Sequence, residues 1–174
     1  MRRVLVVVFV LGVLFLAQTL RADSIFTATL DGAQEPTAST ATGFGMVILN
    51  TAQTMITVNE NWTGLIGGPA TVSHIHCCAP PGSNAAVLFP FTGVPNVTSG
   101  SIPEQTFAIT PAQVAELEAG MMYFNVHDAE FPGGEIRGQI LPAATPEPAS
   151  LGLLALGVLL MVVCAPKMRR VPAA

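Results

Sequence analysis

The stretch that decides the fold is MYFNVHDAEFPGGEIRGQIL, residues 122–141. Apolar and polar side chains alternate along it on both sides of a turn at 131–134, and successive side chains of a strand point to opposite faces. The pattern predicts an antiparallel hairpin with strands at 122–128 and 135–141. We expect its buried face to carry Met122, Phe124, Val126, Ile136 and Ile140.

The polar side chains of this hairpin share its other face. A slip of one residue would turn the apolar set outward, so burial of that set determines the register. In the register that we expect, the facing residues are His127 with Glu135, Asn125 with Arg137, and Tyr123 with Gln139.

A second run, TVSHIHCC at 71–78, holds the other two histidines of the chain. On a strand, His74 and His76 point to one face and Ile75 points to the other. Two imidazoles on one strand face, joined by His127 from the hairpin, form either a metal site or a polar strand face.

Short strands separated by turn residues make up most of the remaining chain, which indicates an all-β domain. These strands are predicted at 24–30, 43–50, 54–60, 85–90 and 101–109. The second and third of them form a hairpin. Its core residues are expected to be Phe44, Met46, Ile48, Ile56 and Val58.

One short helix is also predicted. Thr110 can cap it, Pro111 suits its first position, and Gln113 completes a capping box. Gly120 supplies a left-handed end. The apolar stripe of the helix is narrow, so we expect it to cover an edge or an end of a sheet.

Two apolar segments flank the domain, and we expect both to be hydrophobic helices. Residues 1–22 have the basic, apolar and small-residue regions of a secretory signal peptide, which implies signal peptidase as a partner; an uncleaved membrane anchor is the alternative. At the other end, the uncharged run 151–165 would span roughly 22 Å as a helix, short of a bilayer core of about 30 Å. It would anchor the chain in a membrane only marginally.

The C-terminal segment, residues 145–174, resembles the PEP-CTERM sorting signal of Gram-negative bacteria. The shared parts are the motif Pro146-Glu147-Pro148, one apolar span and a basic tail. The resemblance implies processing by an exosortase during export through the inner membrane, often alongside exopolysaccharide production. We therefore expect the protein at the cell surface, at the outer membrane or outside the cell.

The domain between these segments, residues 23–144, is strongly acidic. Arg137 is its one basic residue, against ten carboxylates, for a formal charge of −9. A nucleic-acid partner is excluded, because phosphate binding needs a basic footprint. Arg137 is expected to be a structural partner that bridges Glu135 or a carboxylate on a neighbouring strand; a functional anion site is the alternative.

Several spaced motifs of the domain resemble the CHRD domain, which occurs in chordin and in bacterial secreted proteins. They are FTATLDGAQEP at 26–36, HIH at 74–76, YFNVH at 123–127 and FPGGEIRGQ at 131–139. The resemblance covers essentially the whole domain and implies an extracellular antiparallel β-sandwich of immunoglobulin-like or superoxide-dismutase-like character. It implies little about activity.

The three histidines support two interpretations. As ligands, His74, His76 and His127 would present three nitrogens to zinc or copper, with Glu135 as a fourth ligand or as a partner that orients His127. The alternative is a hydrogen-bonded polar strip with Tyr123, Asn125 and Gln139. Three histidines are too few for the binuclear site of a copper–zinc dismutase, which excludes that enzyme.

Cys77 and Cys78 leave three alternatives open: a disulfide between neighbours, thiolate ligation beside His76, or bridges to another chain. Two free thiols are unexpected in an oxidising compartment. Adjacent Cα atoms joined by a trans peptide lie about 3.8 Å apart, closer than ordinary disulfides prefer, so a vicinal bond closes a strained ring. We favour this vicinal disulfide as a rigid end to the histidine strand.

Two hypotheses of function follow. In the first, the protein is a secreted, surface-sorted module that binds or supports the extracellular matrix through polysaccharide or protein. In the second, it is a metal-binding protein, with or without catalysis, that uses the three histidines. Since the chain shows no Ser-His-Asp order, phosphate-binding loop or paired-carboxylate motif, a binding role is favoured over catalysis.

Overall fold

Two antiparallel β-sheets pack against each other in the computed structural model, which describes residues 22–144 and residue 157. The strands are β1 (Ser24–Leu30), β2 (Thr42–Leu49), β3 (Met55–Thr63), β4 (Val72–Cys77), β5 (Ala86–Pro90), β6 (Gly100–Ser101), β7 (Gln105–Ala108), β8 (Met122–His127), β9 (Ile136–Gln139) and β10 (Leu141–Pro142). The first sheet has the order β10-β1-β2-β3, with β6 and β7 both paired to β3; the second has the order β5-β4-β8-β9. This is the expected antiparallel β-sandwich.

The two predicted terminal segments lie almost entirely outside the described residues. Of the signal peptide at 1–22 only Ala22 is described, and of the sorting segment at 145–174 only Gly157. In the part of the chain that is described, no helix is long and apolar enough to cross a membrane.

The hairpin of β8 and β9 has the predicted register. Tyr123 pairs with Gln139 and Asn125 pairs with Arg137. The predicted buried face is confirmed, since each of its members is fully buried: Met122, Phe124, Val126, Ile136 and Ile140. The polar face is buried as well, because the segments at 31–41 and 79–85 cover it.

The predicted core residues of β2 are wrong, whereas those of β3 are correct. Phe44 is 42% exposed, and Val47 and Leu49 face the core instead, opposite Val58 and Ile56 of β3. Because β2 carries apolar side chains on both faces, alternation does not distinguish them. The ring of Phe124 decides between the faces, since it packs so closely on Gly45 that a Cβ would collide with it.

Helix α1 (Pro111–Glu118) connects β7 to β8. Its capping box between Thr110 and Gln113 is present as predicted, and Gly120 ends the helix at φ +69. Val114 and Leu117 face the core.

Strand β4 is the element that positions the histidines. It lies inside its sheet between β5 and β8, with Ser73 and Ile75 facing the core and His74 and His76 facing away from it. The pairing with β5 shifts register between Ile75 and His76, which indicates a bulge at this point.

Candidate metal centre

The three histidines of the chain converge on the face of the β4–β8 pair that points away from the core. One ring nitrogen from each of His74, His76 and His127 lies within 4.8 Å of the others. Nδ1 of His74 and Nε2 of His127 are 3.3 Å apart. In a tetrahedral site with metal–nitrogen bonds of about 2.05 Å, two ligand nitrogens are also separated by about 3.3 Å. One pair is therefore already at a ligand spacing.

Backbone carbonyls determine which nitrogens are free. Nδ1 of His76 lies 3.0 Å from the carbonyl oxygen of Ala85, and Nδ1 of His127 lies 3.1 Å from that of Pro132. Because a carbonyl oxygen only accepts, both Nδ1 atoms carry the proton and both Nε2 atoms are unprotonated. The Nε2 atom of His127 therefore accepts the hydrogen bond from Nδ1 of His74. The partnership with a carbonyl is the usual way in which proteins orient ligating imidazoles.

The Nε2 atom of His76 is buried without a partner. Among the described residues it has no hydrogen bond, and His76 is 8% exposed. Buried polar atoms without a partner are uncommon, so this nitrogen is a candidate ligand atom.

Burial keeps the three imidazoles neutral. Desolvation lowers the pKa of His74 and of His76, and it lowers the pKa of His127 to about 4 against the hydrogen bond to Pro132. Neutral imidazole is the form that binds metals. The cluster is thus ready for a metal at neutral pH without losing protons.

A cavity of about 330 Å³ opens in front of the cluster. Its rim includes Val72 and Val87, which are 43% and 45% exposed, and the backbone at Pro132 and Gly133. His74, His76 and His127 all line this cavity, so a ligand in it would lie beside the cluster.

Tyr123 and Arg137 form a stack behind His76. The rings of Tyr123 and His76 are nearly parallel with centroids 4.9 Å apart, and the guanidinium of Arg137 lies 4.4 Å from the Tyr123 centroid. Arg137 also forms an ion pair with Glu35 at 3.3 Å and donates to Asn84 at 2.9 Å. The expected role of Arg137 as a structural partner is supported, but its carboxylate comes from the segment between β1 and β2.

Glu135 does not join the cluster, which corrects the expectation that it would bind the metal or orient His127. Its carboxylate accepts hydrogen bonds from Ser39 and from the amides of Ile66 and Gly67. Burial acts to raise its pKa, but hydrogen bonds from Asp128 and from these groups outweigh burial and hold the pKa below its usual range. Because Glu135 precedes the first residue of β9, strand alternation does not determine where its side chain points.

Cys77 and Cys78 are joined by a disulfide. Cys77 packs against the core on the side of β4 opposite to His76. Within the described residues, the ligand cluster contains histidines alone. Thiolate ligation beside His76 therefore has no support in this arrangement.

Two groups that shape the site were missed by sequence reasoning, namely the carbonyls of Ala85 and Pro132. Both belong to irregular segments, and a backbone carbonyl has no signature in the sequence. Glu35 was missed as well, although it lies within the 26–36 motif.

Comparison with known proteins identifies one family. The model of the CHRD domain matches residues 26–140, a range that contains both histidine runs and nearly the whole sandwich. Neither the curated proteins nor the solved structures gave a match.

Proposed function

The chain belongs to the CHRD domain family, and we propose that it is an exported extracellular module that binds one zinc or copper ion through His74, His76 and His127. The observation that carries this proposal is the convergence of the three ring nitrogens beside a cavity, with two of the tautomers set by backbone carbonyls.

The donor set supports the choice of metal. Neutral imidazoles suit zinc and copper, whereas calcium and magnesium require oxygen ligands. Three protein ligands leave a fourth tetrahedral position open, as in zinc sites that accept an exogenous ligand. The three histidines line the cavity from which such a ligand would enter.

Metal binding should stabilise the folded domain. Protein purified without an affinity tag should melt about 10 °C higher with zinc or copper present at about 100 times the dissociation constant, because binding to the native state alone then adds about 2.7 kcal/mol. His127→Gln should abolish most of this shift. Differential scanning calorimetry and metal analysis after dialysis measure the two effects.

Val72→Thr is the matched control, since it changes the cavity rim without touching a ligand, and its melting shift should equal that of the unaltered protein. If neither zinc nor copper binds stoichiometrically or moves the melting temperature, the metal proposal is wrong. An equal shift in the His127→Gln protein would show that the metal binds elsewhere.

We propose further that signal peptidase and an exosortase process the chain and that it reaches the cell surface, where it contacts extracellular polysaccharide or protein. The signal-like segment at 1–22 and the Pro146-Glu147-Pro148 motif with its apolar span support this proposal. The strongly acidic domain is compatible with a soluble surface module.

Deleting residues 146–170 should redirect the protein from the cell surface into the medium or the periplasm. Surface proteolysis and fractionation measure the distribution. Glu147→Ala, which leaves the apolar span intact, separates recognition of the motif from simple membrane anchoring. Unchanged surface retention of the deleted form would contradict sorting by this segment.

A further inference from the structure

The proposed metal centre contains no negative charge. All three ligands are neutral, and no carboxylate lines the cavity within the described part of the chain. The nearby Glu35 is paired with Arg137 and also accepts from Asn125. A divalent ion would therefore keep its full charge in a half-buried site, and an uncompensated charge at low dielectric is costly.

An anion at the open position would offset this charge. Glu135 and Asp128 do not provide one, because neither side chain lines the cavity and Glu135 is held by Asp128 and by the amides of Ile66 and Gly67. The compensating group therefore has to come from outside the described residues.

The cavity rim adds an apolar preference. Val72 and Val87 remain 43% and 45% exposed, and Ala85 and Pro132 also line the opening. With a volume of about 330 Å³, the cavity is at the small end of ligand pockets. It has room for a few carbon atoms beside the metal, and burying them against the valines is favourable.

We propose that the metal-loaded site takes a small monocarboxylate with a short alkyl chain, its carboxylate at the fourth coordination position and its chain against Val72 and Val87. This inference rests on the proposed function, since it requires a metal on His74, His76 and His127. The ligand class is set by one negative charge and a few apolar carbons.

Cobalt(II) tests the proposal, because its visible absorption reports coordination directly. Cobalt-loaded protein should change its spectrum when acetate or butyrate is added, and butyrate should bind more tightly by about fourfold for each additional buried methylene group. The double variant Val72→Ser/Val87→Ser should bind acetate as before and bind butyrate no better than acetate. Chloride serves as the anion without an alkyl chain.

Each outcome bears on one of the two proposals. If cobalt produces no histidine-dependent spectrum, the metal function itself fails. If cobalt binds and the spectrum does not respond to carboxylates, the function stands and this inference is overturned. Equal affinity for acetate, butyrate and chloride, or an unchanged preference for butyrate in the double variant, would also overturn it. Circular dichroism of the double variant checks that its fold is intact.

Discussion

Replacing Glu60 with glutamine should allow the domain to keep at pH 8.5 the stability that the unaltered protein loses as the pH rises. Glu60 lies in β3 and is 1% exposed, between the sheets. The Oγ atom of Ser73 is 2.5 Å from its Oε2 atom and 2.9 Å from the carbonyl oxygen of Asn125. A hydroxyl has one proton and a carbonyl has none to give, so both contacts are satisfied only when the Glu60 carboxyl donates to Ser73.

Burial raises the pKa of Glu60 to about 8, from an ordinary value of 4.5. The folded domain therefore holds a proton that the unfolded chain releases above about pH 4.5. Stability from this group is fully present below that pH, declines by up to roughly 1.4 kcal/mol per pH unit, and is lost above about pH 8.

The histidines have the opposite effect at lower pH. The pKa of His127 is lowered to about 4, so its contribution is present above pH 6.5 and is lost as the pH falls through about 4. The unaltered domain should consequently be most stable in mildly acidic solution. Subtracting the curve of the Glu60→Gln protein isolates the contribution of Glu60.

Urea denaturation at half-unit steps from pH 5 to 9 measures these curves. The matched control is Glu104→Gln, which removes an exposed carboxylate. Its curve of stability against pH should run parallel to that of the unaltered protein. If the Glu60→Gln curve also runs parallel over the whole range, the buried carboxyl is ionised in the folded state and the argument from Ser73 is wrong.

Strand alternation explains how much of this fold was predictable. In the hairpin of β8 and β9 the apolar residues occupy one face, so one register satisfies burial and the polar pairs follow from it. In β2 both faces are apolar, and a single close contact between Gly45 and Phe124 in the other sheet decides which side is buried. Such a contact has no local trace in the sequence.

The candidate site also contains residues whose positions strand alternation predicts and residues whose positions it does not predict. The positions of His74, His76 and His127 follow from strand parity and from the packing of two runs side by side. The side chains of Glu35 and Glu135 lie in irregular segments, where no period applies. The burial of Glu60 follows from strand alternation, because Glu60 lies two residues after Val58 in β3 and both face the core. Composition alone would instead count Glu60 as a surface charge.

Arg137→Met should destabilise the domain by about 3–5 kcal/mol, because removing one member of a buried ion pair leaves the other charge uncompensated. Arg137 is 1% exposed and donates to Glu35, to Asn84 and to the carbonyl oxygen of Ser83. Its loss would leave Glu35 with only the hydrogen bond from Asn125. It would also remove the donor to Asn84 and Ser83 and the support for the Tyr123 ring.

The destabilisation by Arg137→Met should depend on pH, because the carboxylate of Glu35 remains in the variant. Burial raises the pKa of Glu35, and the charge of Arg137 opposes that rise. In the Arg137→Met protein the pKa of Glu35 should rise further, so the loss of stability should be smaller in acid, where Glu35 is neutral, and larger at pH 8.

The double variant Glu35→Gln/Arg137→Met separates loss of the ion pair from loss of packing. If an uncompensated carboxylate causes the damage, the double variant should recover stability relative to Arg137→Met at pH 8, and the two should converge in acid. Arg137→Lys keeps the charge but not the planar guanidinium, so its stability should lie between those of the unaltered protein and of Arg137→Met. Urea denaturation at pH 5 and pH 8 distinguishes these cases. A pH-independent loss of less than 1 kcal/mol for Arg137→Met would mean that Glu35 is already neutral beside Arg137.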